Sequence, residues 1–142
     1  MVLERINSPK DLKALSKEER KELAGEMREA LIERASRHMG HVGPDLGFVE
    51  ATIALHTVFD APEDQIVFDV SHQTYPHKML TGRREAYTDP AHYDDVAPYT
   101  DPAESPYDLF SIGHTSTSID LAIGIAKARD LLGGKESVVA VI

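Results

Sequence analysis

The sequence predicts an α/β domain built on a parallel sheet, and three observations carry that prediction. Two short runs, Gln65–Val70 and Ser137–Ile142, are apolar at consecutive positions, as strands covered on both faces are. Segments with helical periodicity and helix-capping residues lie before and between them. The chain has 142 residues, 42% of them hydrophobic, enough for one compact core without a covalent staple.

The elements follow in order. Ser8-Pro9 with Asp11 supplies an N-cap, a proline at the first helical position and an acid in the first turn. Ser16-Lys17-Glu18-Glu19 is a capping box. It opens a helix that places Leu23, Met27, Ala30, Leu31 and Arg34 near one face and ends before Gly40. Gly40–Gly47 reads as a glycine-rich link to a second helix, Phe48–Phe59, apolar on most sides and expected to be buried. After the first strand, the stretch from Glu85 to Asp108 holds seven acids, no Lys or Arg, and Pro90, Pro98, Pro102 and Pro106. Proline removes backbone donors and restricts its predecessor, so an irregular lid, binding or disordered segment is expected there. Ile119–Leu132 reads as a helix with Leu121, Ala122, Ile125 and Ala128 inward, stopped at Gly133-Gly134 before the second strand. The organisation is thus a helical arm (1–38), a histidine-bearing part (39–84), an acidic loop (85–110) and a turn–helix–strand (111–142). Two strands make a poor sheet, and a central strand ending on Ile142 is expected to lead onward, so the chain reads as part of a longer domain.

Composition excludes several functions. A formal charge of −9 is a poor match to nucleic acid, whose affinity rests on Lys and Arg neutralising phosphates. The absence of Cys removes disulfides, thiolate metal sites and a cysteine nucleophile. No apolar run approaches a membrane span and the N-terminus has no apolar signal core, so a soluble, cytoplasmic protein is expected. Neither a Gly-x-Gly-x-x-Gly, a Walker A nor a Gly-x-Ser-x-Gly pattern occurs.

Three segments carry histidines where chemistry is possible. His41 lies in Gly40–Gly47, where glycine permits positive φ or close approach to a ligand and imidazole suits proton transfer near neutral pH. A turn with a hydrogen-bonded histidine explains the spacing equally simply. His72, just after the first strand, falls where open α/β sheets bind ligands, outside the carboxyl ends of their strands. His72 and His77 invite a metal reading, but no third ligand is near, and no metal ligand is assigned in the chain. Gly113-His114-Thr115-Ser116-Thr117-Ser118 runs into the Ile119 helix, and amides at a helix N-terminus with flanking hydroxyls form a seat for phosphate. Ordinary capping by Ser116 or Ser118 is the competing explanation.

Taken together, these segments resemble the N-terminal part of the 1-deoxy-D-xylulose-5-phosphate synthase family, in the transketolase-like group of thiamine diphosphate enzymes. The resemblance rests on Ile6–Leu12, Gly40–Gly47, Val49–His56, Gly113–Ser118 and above all on His72–Arg84, HQTYPHKMLTGRR. It implies a parallel-sheet, thiamine-diphosphate-binding domain in a cytoplasmic homodimer. It also implies condensation of pyruvate with D-glyceraldehyde 3-phosphate, releasing CO2, to supply isoprenoid, thiamine and pyridoxal phosphate synthesis. By resemblance His41 matches the histidine for substrate and proton transfer, and His72 one that lines the cofactor. Gly113, His114 and Thr115 match the segment touching thiamine diphosphate. Magnesium is implied as well, with its ligands, in a Gly-Asp-Gly motif and a later Asn, expected beyond Ile142. The 142 residues alone are then expected to be inactive, and the alternative is a non-catalytic module that complements such an enzyme. The sequence departs from the family pattern at Asp45, usually Asn; at Ser71, usually Gly; and at Thr115, usually Ser. Asp94–Pro102 replaces a glycine-rich, basic stretch with acids, which are expected to repel a phosphorylated acceptor and pyruvate.

Overall fold

A computed structural model describes all 142 residues. Helices α1 (Pro9–Lys13), α2 (Lys17–Arg37) and α3 (Gly43–Val58) precede strand β1 (Gln65–Phe68). Short helical turns α4 (Tyr75–Lys78) and α5 (Glu85–Thr88), joined by a π-type turn, are followed by α6 (Ser118–Leu132) and strand β2 (Val138–Val141). No helix is long and apolar enough to cross a membrane.

The expected caps form where the residues predicted them. In α1 the Ser8 amide donates to the Asp11 carboxylate at 2.9 Å, and in α2 Ser16 and Glu19 exchange both bonds of a capping box. Leu23, Ala24, Met27, Leu31 and Arg34 form the buried face of α2. The α6 helix stops at Gly133, whose φ of 76° is left-handed, with the Gly134 amide returning to the Arg129 carbonyl. β1 and β2 pair in parallel, Gln65 against Val138 through Phe68 against Val141. Their alternating side chains serve two small cores. Ile66, Phe68 and Val141 meet the α3 side, and Val67 meets Ile112 and Ala122 on the α6 side. The main core is helical, formed by α1, α2, α3 and the Tyr75–Tyr87 segment.

Three expectations change. The α3 helix begins at Gly43, so Gly43-Pro44-Asp45-Leu46-Gly47 is its first turn and not a link. Proline fits a first turn, which lacks inward-bonded amides in any case. Second, α3 is buried along one stripe only, with Ala51, Ala54 and Val58 exposed, because helices cover it from one side and the sheet has just two strands. Third, Ala128 of α6 is exposed, since only the N-terminal half of that helix reaches the strands.

The acidic loop is ordered by pairing. Arg83 forms a two-pronged bond to the buried Asp108 carboxylate, at 2.7 and 2.8 Å, and reaches Glu104 at 3.0 Å. The fully buried Lys78 ammonium donates to Glu104 at 2.7 Å and to the Ala97 carbonyl at 2.8 Å. His77 Nε2–H donates to Asp108 at 3.0 Å, and His56 Nε2–H donates to His77 Nδ1 at 2.9 Å. Asp94 and Asp95 pair with His38 and His92. Lys78 and Arg83 thus neutralise Glu104 and Asp108, while the acids within Asp94–Pro102 have only the imidazoles of His38 and His92 as basic partners.

Burial works to raise the Asp108 carboxyl, but hydrogen bonds from Arg83 and His77 overcome it and hold it well below the ordinary carboxylate range. A depressed folded pKa means stability present above about pH 4, the unfolded value, and lost as pH falls through the folded one. Arg83→Met strands a buried carboxylate, and is expected to cost about 3–5 kcal/mol at pH 7, measured by urea unfolding, with the deficit shrinking in acid.

Candidate functional site

The site forms where β1 ends. Asp69 follows the strand directly, and its carboxylate accepts the amides of Ser116, Thr117 and Ser118 at 3.0, 3.2 and 3.2 Å. Those bonds, from Ser116 first and then Ser118, hold the Asp69 carboxyl below its ordinary range. The sequence reading made this helix mouth a seat for phosphate, or a cap for Ser116 or Ser118. The structure fills it with the chain's own anion, because parallel pairing puts the end of β1 beside the start of α6. The chain crosses the gap at Val70 and Ser71 with φ of 58° and 65°, a left-handed conformation that costs residues with a Cβ about 1–2 kcal/mol each. The Ser71 hydroxyl offsets this by donating to the Ile112 carbonyl at 2.6 Å and accepting from the Thr100 amide at 3.0 Å. A glycine here relieves the backbone and forfeits both bonds.

Those bonds draw three loops together around two imidazoles. The His41 and His72 rings meet edge to face with centroids 5.5 Å apart, and His41 also lies 5.3 Å from Tyr99 and 6.0 Å from Tyr75. The buried Nδ1 atoms of both histidines have no hydrogen-bond partner in the protein. Burial, and then the neighbouring charge of His72, push the His41 pKa down, with the Pro98 carbonyl working in the opposite direction. His41 is thus a neutral imidazole near pH 7, able to take a proton. Its own amide donates to the Tyr75 hydroxyl at 3.3 Å. That approach requires Gly40, since a Cβ there stands 2.7 Å from the Tyr75 oxygen.

Gly113 joins the pair through Tyr99. A cavity of about 300 Å3 is lined by Tyr99, Thr100, Asp101, Ser111, Ile112 and Gly113, and a second of about 370 Å3 shares Ser111, Ile112 and Gly113 with it and adds His114, Thr117 and Asp120. His114 and Thr115 are exposed, with His114 Nδ1–H donating to the Thr115 carbonyl at 2.9 Å, apart from the two paired rings. His77 does not accompany His72. Both its ring nitrogens are taken by His56 and Asp108, and it is wholly buried, so it shares no ligand position with His72.

Three residues of this site escaped the sequence reading: Asp69, Tyr99 and Asp45. Asp69 and Tyr99 carry no local signal, since their partners are 14 to 58 positions away in the chain. Asp45 was visible only as a departure from the family pattern. Its side chain is fully buried in the first turn of α3, where one oxygen accepts the Tyr75 amide at 2.8 Å and the other has no partner. Burial pushes its pKa up to about 7, against the Tyr75 amide and Arg34, which favour the anion. The folded state therefore holds a proton that the unfolded chain releases near pH 4, and stability falls as pH rises between those values. Asp45→Asn keeps the acceptor and removes the charge. It is expected to match the wild type below pH 4 and to exceed it by about 2–4 kcal/mol above pH 7, in urea unfolding across that range.

Comparison with known proteins identifies the family of the chain. Residues 3–142 match the family model for the N-terminal region of 1-deoxy-D-xylulose-5-phosphate synthase. The chain is 51% identical over 142 residues to the 1-deoxy-D-xylulose-5-phosphate synthase of Dictyoglomus turgidum, covering all of this chain and 23% of that protein. It is 51% identical over 141 residues to that of Syntrophomonas wolfei, and 50% identical over 141 residues to 1-deoxy-D-xylulose-5-phosphate synthase 2 of Geobacter sulfurreducens. In each of these two cases 99% of this chain is covered and 22% of the relative. The chain spans less than a quarter of the length of the curated relatives it matches, and over that span it belongs to the 1-deoxy-D-xylulose-5-phosphate synthase family.

Proposed function

We propose that the chain forms the first part of a thiamine diphosphate enzyme that condenses pyruvate with D-glyceraldehyde 3-phosphate and releases CO2. The single observation that carries this reading is the pairing of His41 with His72, each with a buried ring nitrogen that no group of the protein satisfies. The residues present fit part of the cofactor. His72, Gly113, His114 and Thr115 are the residues that would hold it, Gly113 lining both cavities and both His114 and Thr115 exposed. The α6 helix mouth does not fit, since Asp69 occupies its amides.

Thiamine diphosphate, when bound, supplies a carbon nucleophile that stabilises the charge left by decarboxylation. The chain's own residues hold protons and exclude water. His41, kept neutral by burial and by His72, takes or returns a proton at a substrate oxygen. Tyr99 and Tyr75 close the apolar sides of that imidazole. The cations around the site are committed within the chain, Arg34 to the Ala86 and Tyr93 carbonyls, Lys78 to Glu104 and Arg83 to Glu104 and Asp108, so phosphate recognition is assigned to other parts of the enzyme. Mg2+ belongs to the same reading, its ligands contributed outside these 142 residues, as does assembly into a homodimer in the cytoplasm. The alternative, a non-catalytic module that complements such an enzyme, is separated from this reading by the chimera described below.

The isolated chain is expected to form no 1-deoxy-D-xylulose 5-phosphate from the two substrates with thiamine diphosphate and Mg2+. A chimera in which these 142 residues replace the matching segment of the Dictyoglomus turgidum relative is expected to turn over. His41→Ala in that chimera lowers kcat by about 10²- to 10⁴-fold, the usual contribution of a positioned acid–base group. A folded but inactive chimera, or full activity after His41→Ala, overturns the reading.

A further inference from the structure

A second feature lies outside the histidine cluster and the Gly113 turn. Along the α2–α3 pair runs a cavity of about 660 Å3 whose lining includes Lys17, Arg20, Lys21, Gly25, Arg28 and Glu50. That volume is in the range of small-molecule sites. Its charge is arranged along its length. Lys17, Arg20 and Lys21 stand at one end and enter none of the molecule's ion pairs, although the chain as a whole is strongly acidic. The buried Nε–H of Arg20 has no acceptor. The one acid in the lining, Glu50, is taken by Arg28, eleven residues or about 16 Å further along α2. That ion pair bridges α2 to α3 and closes the far end.

Between the two ends the walls are small and apolar: Ala24, Ile53, Ala54 and Val58, with Val58 68% exposed. A Cβ on Gly25 meets nothing within 4 Å, so the middle of the groove is open space. Thr57 spends its hydroxyl on the Ile53 carbonyl and offers no donor. The charge gradient suits a short molecule with one anionic end. We propose that this groove is a binding site for an amphiphilic anion, with a phosphate or carboxylate at the Lys17–Arg20–Lys21 end and an apolar body over Ala24, Gly25 and Ala54. The site is independent of the proposed activity, and its test uses no substrate of that reaction.

The probe is octyl phosphate, below its micellar concentration, titrated into the 142-residue chain by calorimetry and by amide shift mapping. Saturable binding is expected at a Kd of about 1 mM, with shifts at Gly25, Ala54 and Val58. Inorganic phosphate and octanol, each carrying half of the chemistry, are expected to bind at least about tenfold more weakly. Gly25→Leu fills the open middle of the groove at an exposed helical position that favours leucine, so the fold is retained and binding is lost. Combined Lys17→Gln, Arg20→Gln and Lys21→Gln substitution weakens octyl phosphate about tenfold and leaves octanol unchanged. No saturable binding, binding that survives Gly25→Leu, or binding of inorganic phosphate as tight as octyl phosphate overturns the proposal.

Discussion

The buried Asp108 carboxylate is the point on which the rest of the molecule depends. It receives His77 from one side and the Arg83 guanidinium from another, and it accepts the Asp101 amide at 2.9 Å. Through that last bond it holds the Asp101 end of the segment carrying Tyr99 and Thr100. Thr100 then donates its amide to Ser71 and its hydroxyl to the Phe110 carbonyl, which joins the acidic loop to the end of β1 and to the turn before α6. Without the compensating cations, seven acids in an ungrouped loop repel one another. With them, the loop becomes the wall behind His41.

A second cluster supports the same histidine from behind. The Arg34 guanidinium is buried, lies over the rings of Tyr75, Tyr87 and Tyr93 at 5.1 to 5.5 Å, and donates to the Ala86 and Tyr93 carbonyls. Arg suits this place because its planar cation can stack and donate in its plane together. Tyr75 is shared. Its ring packs against Arg34, its amide is held by Asp45, and its hydroxyl accepts from His41. The position of His41 is therefore set by a buried cation and a buried carboxyl, neither of which touches the ring itself.

The acid response of the fold follows from how these groups are arranged. Asp108 and His56 both lose stability as pH falls, Asp108 because its anion is bound, and His56 because burial and then His77 push its pKa down to about 3. Asp45 has the opposite sign between about pH 4 and 7. His56 and Asp45 oppose each other across mildly acidic pH, so the wild-type stability profile is flatter there than either group dictates, while Asp108 adds its loss only below about pH 4.

The features legible in the sequence alone were those whose causes lie within a few residues. The boxes at Ser8 and Ser16, the glycine stop at Gly133 and the two apolar runs that became β1 and β2 all act over one turn or one strand, and each appeared where it was expected. The family was legible too, through the His72–Arg84 run. The start of α3 was hidden because glycine and proline at Gly43, Pro44 and Gly47 signal a turn locally, while tertiary packing of Asp45 and Val49 makes them helical. Only the folded chain decided that the mouth of α6 faces Asp69, that His77 turns inward to Asp108, and that Tyr99 stands between His41 and Gly113. Each of these is a contact between residues 14 to 58 positions apart, and no local rule of spacing or propensity chooses among the partners available at that range.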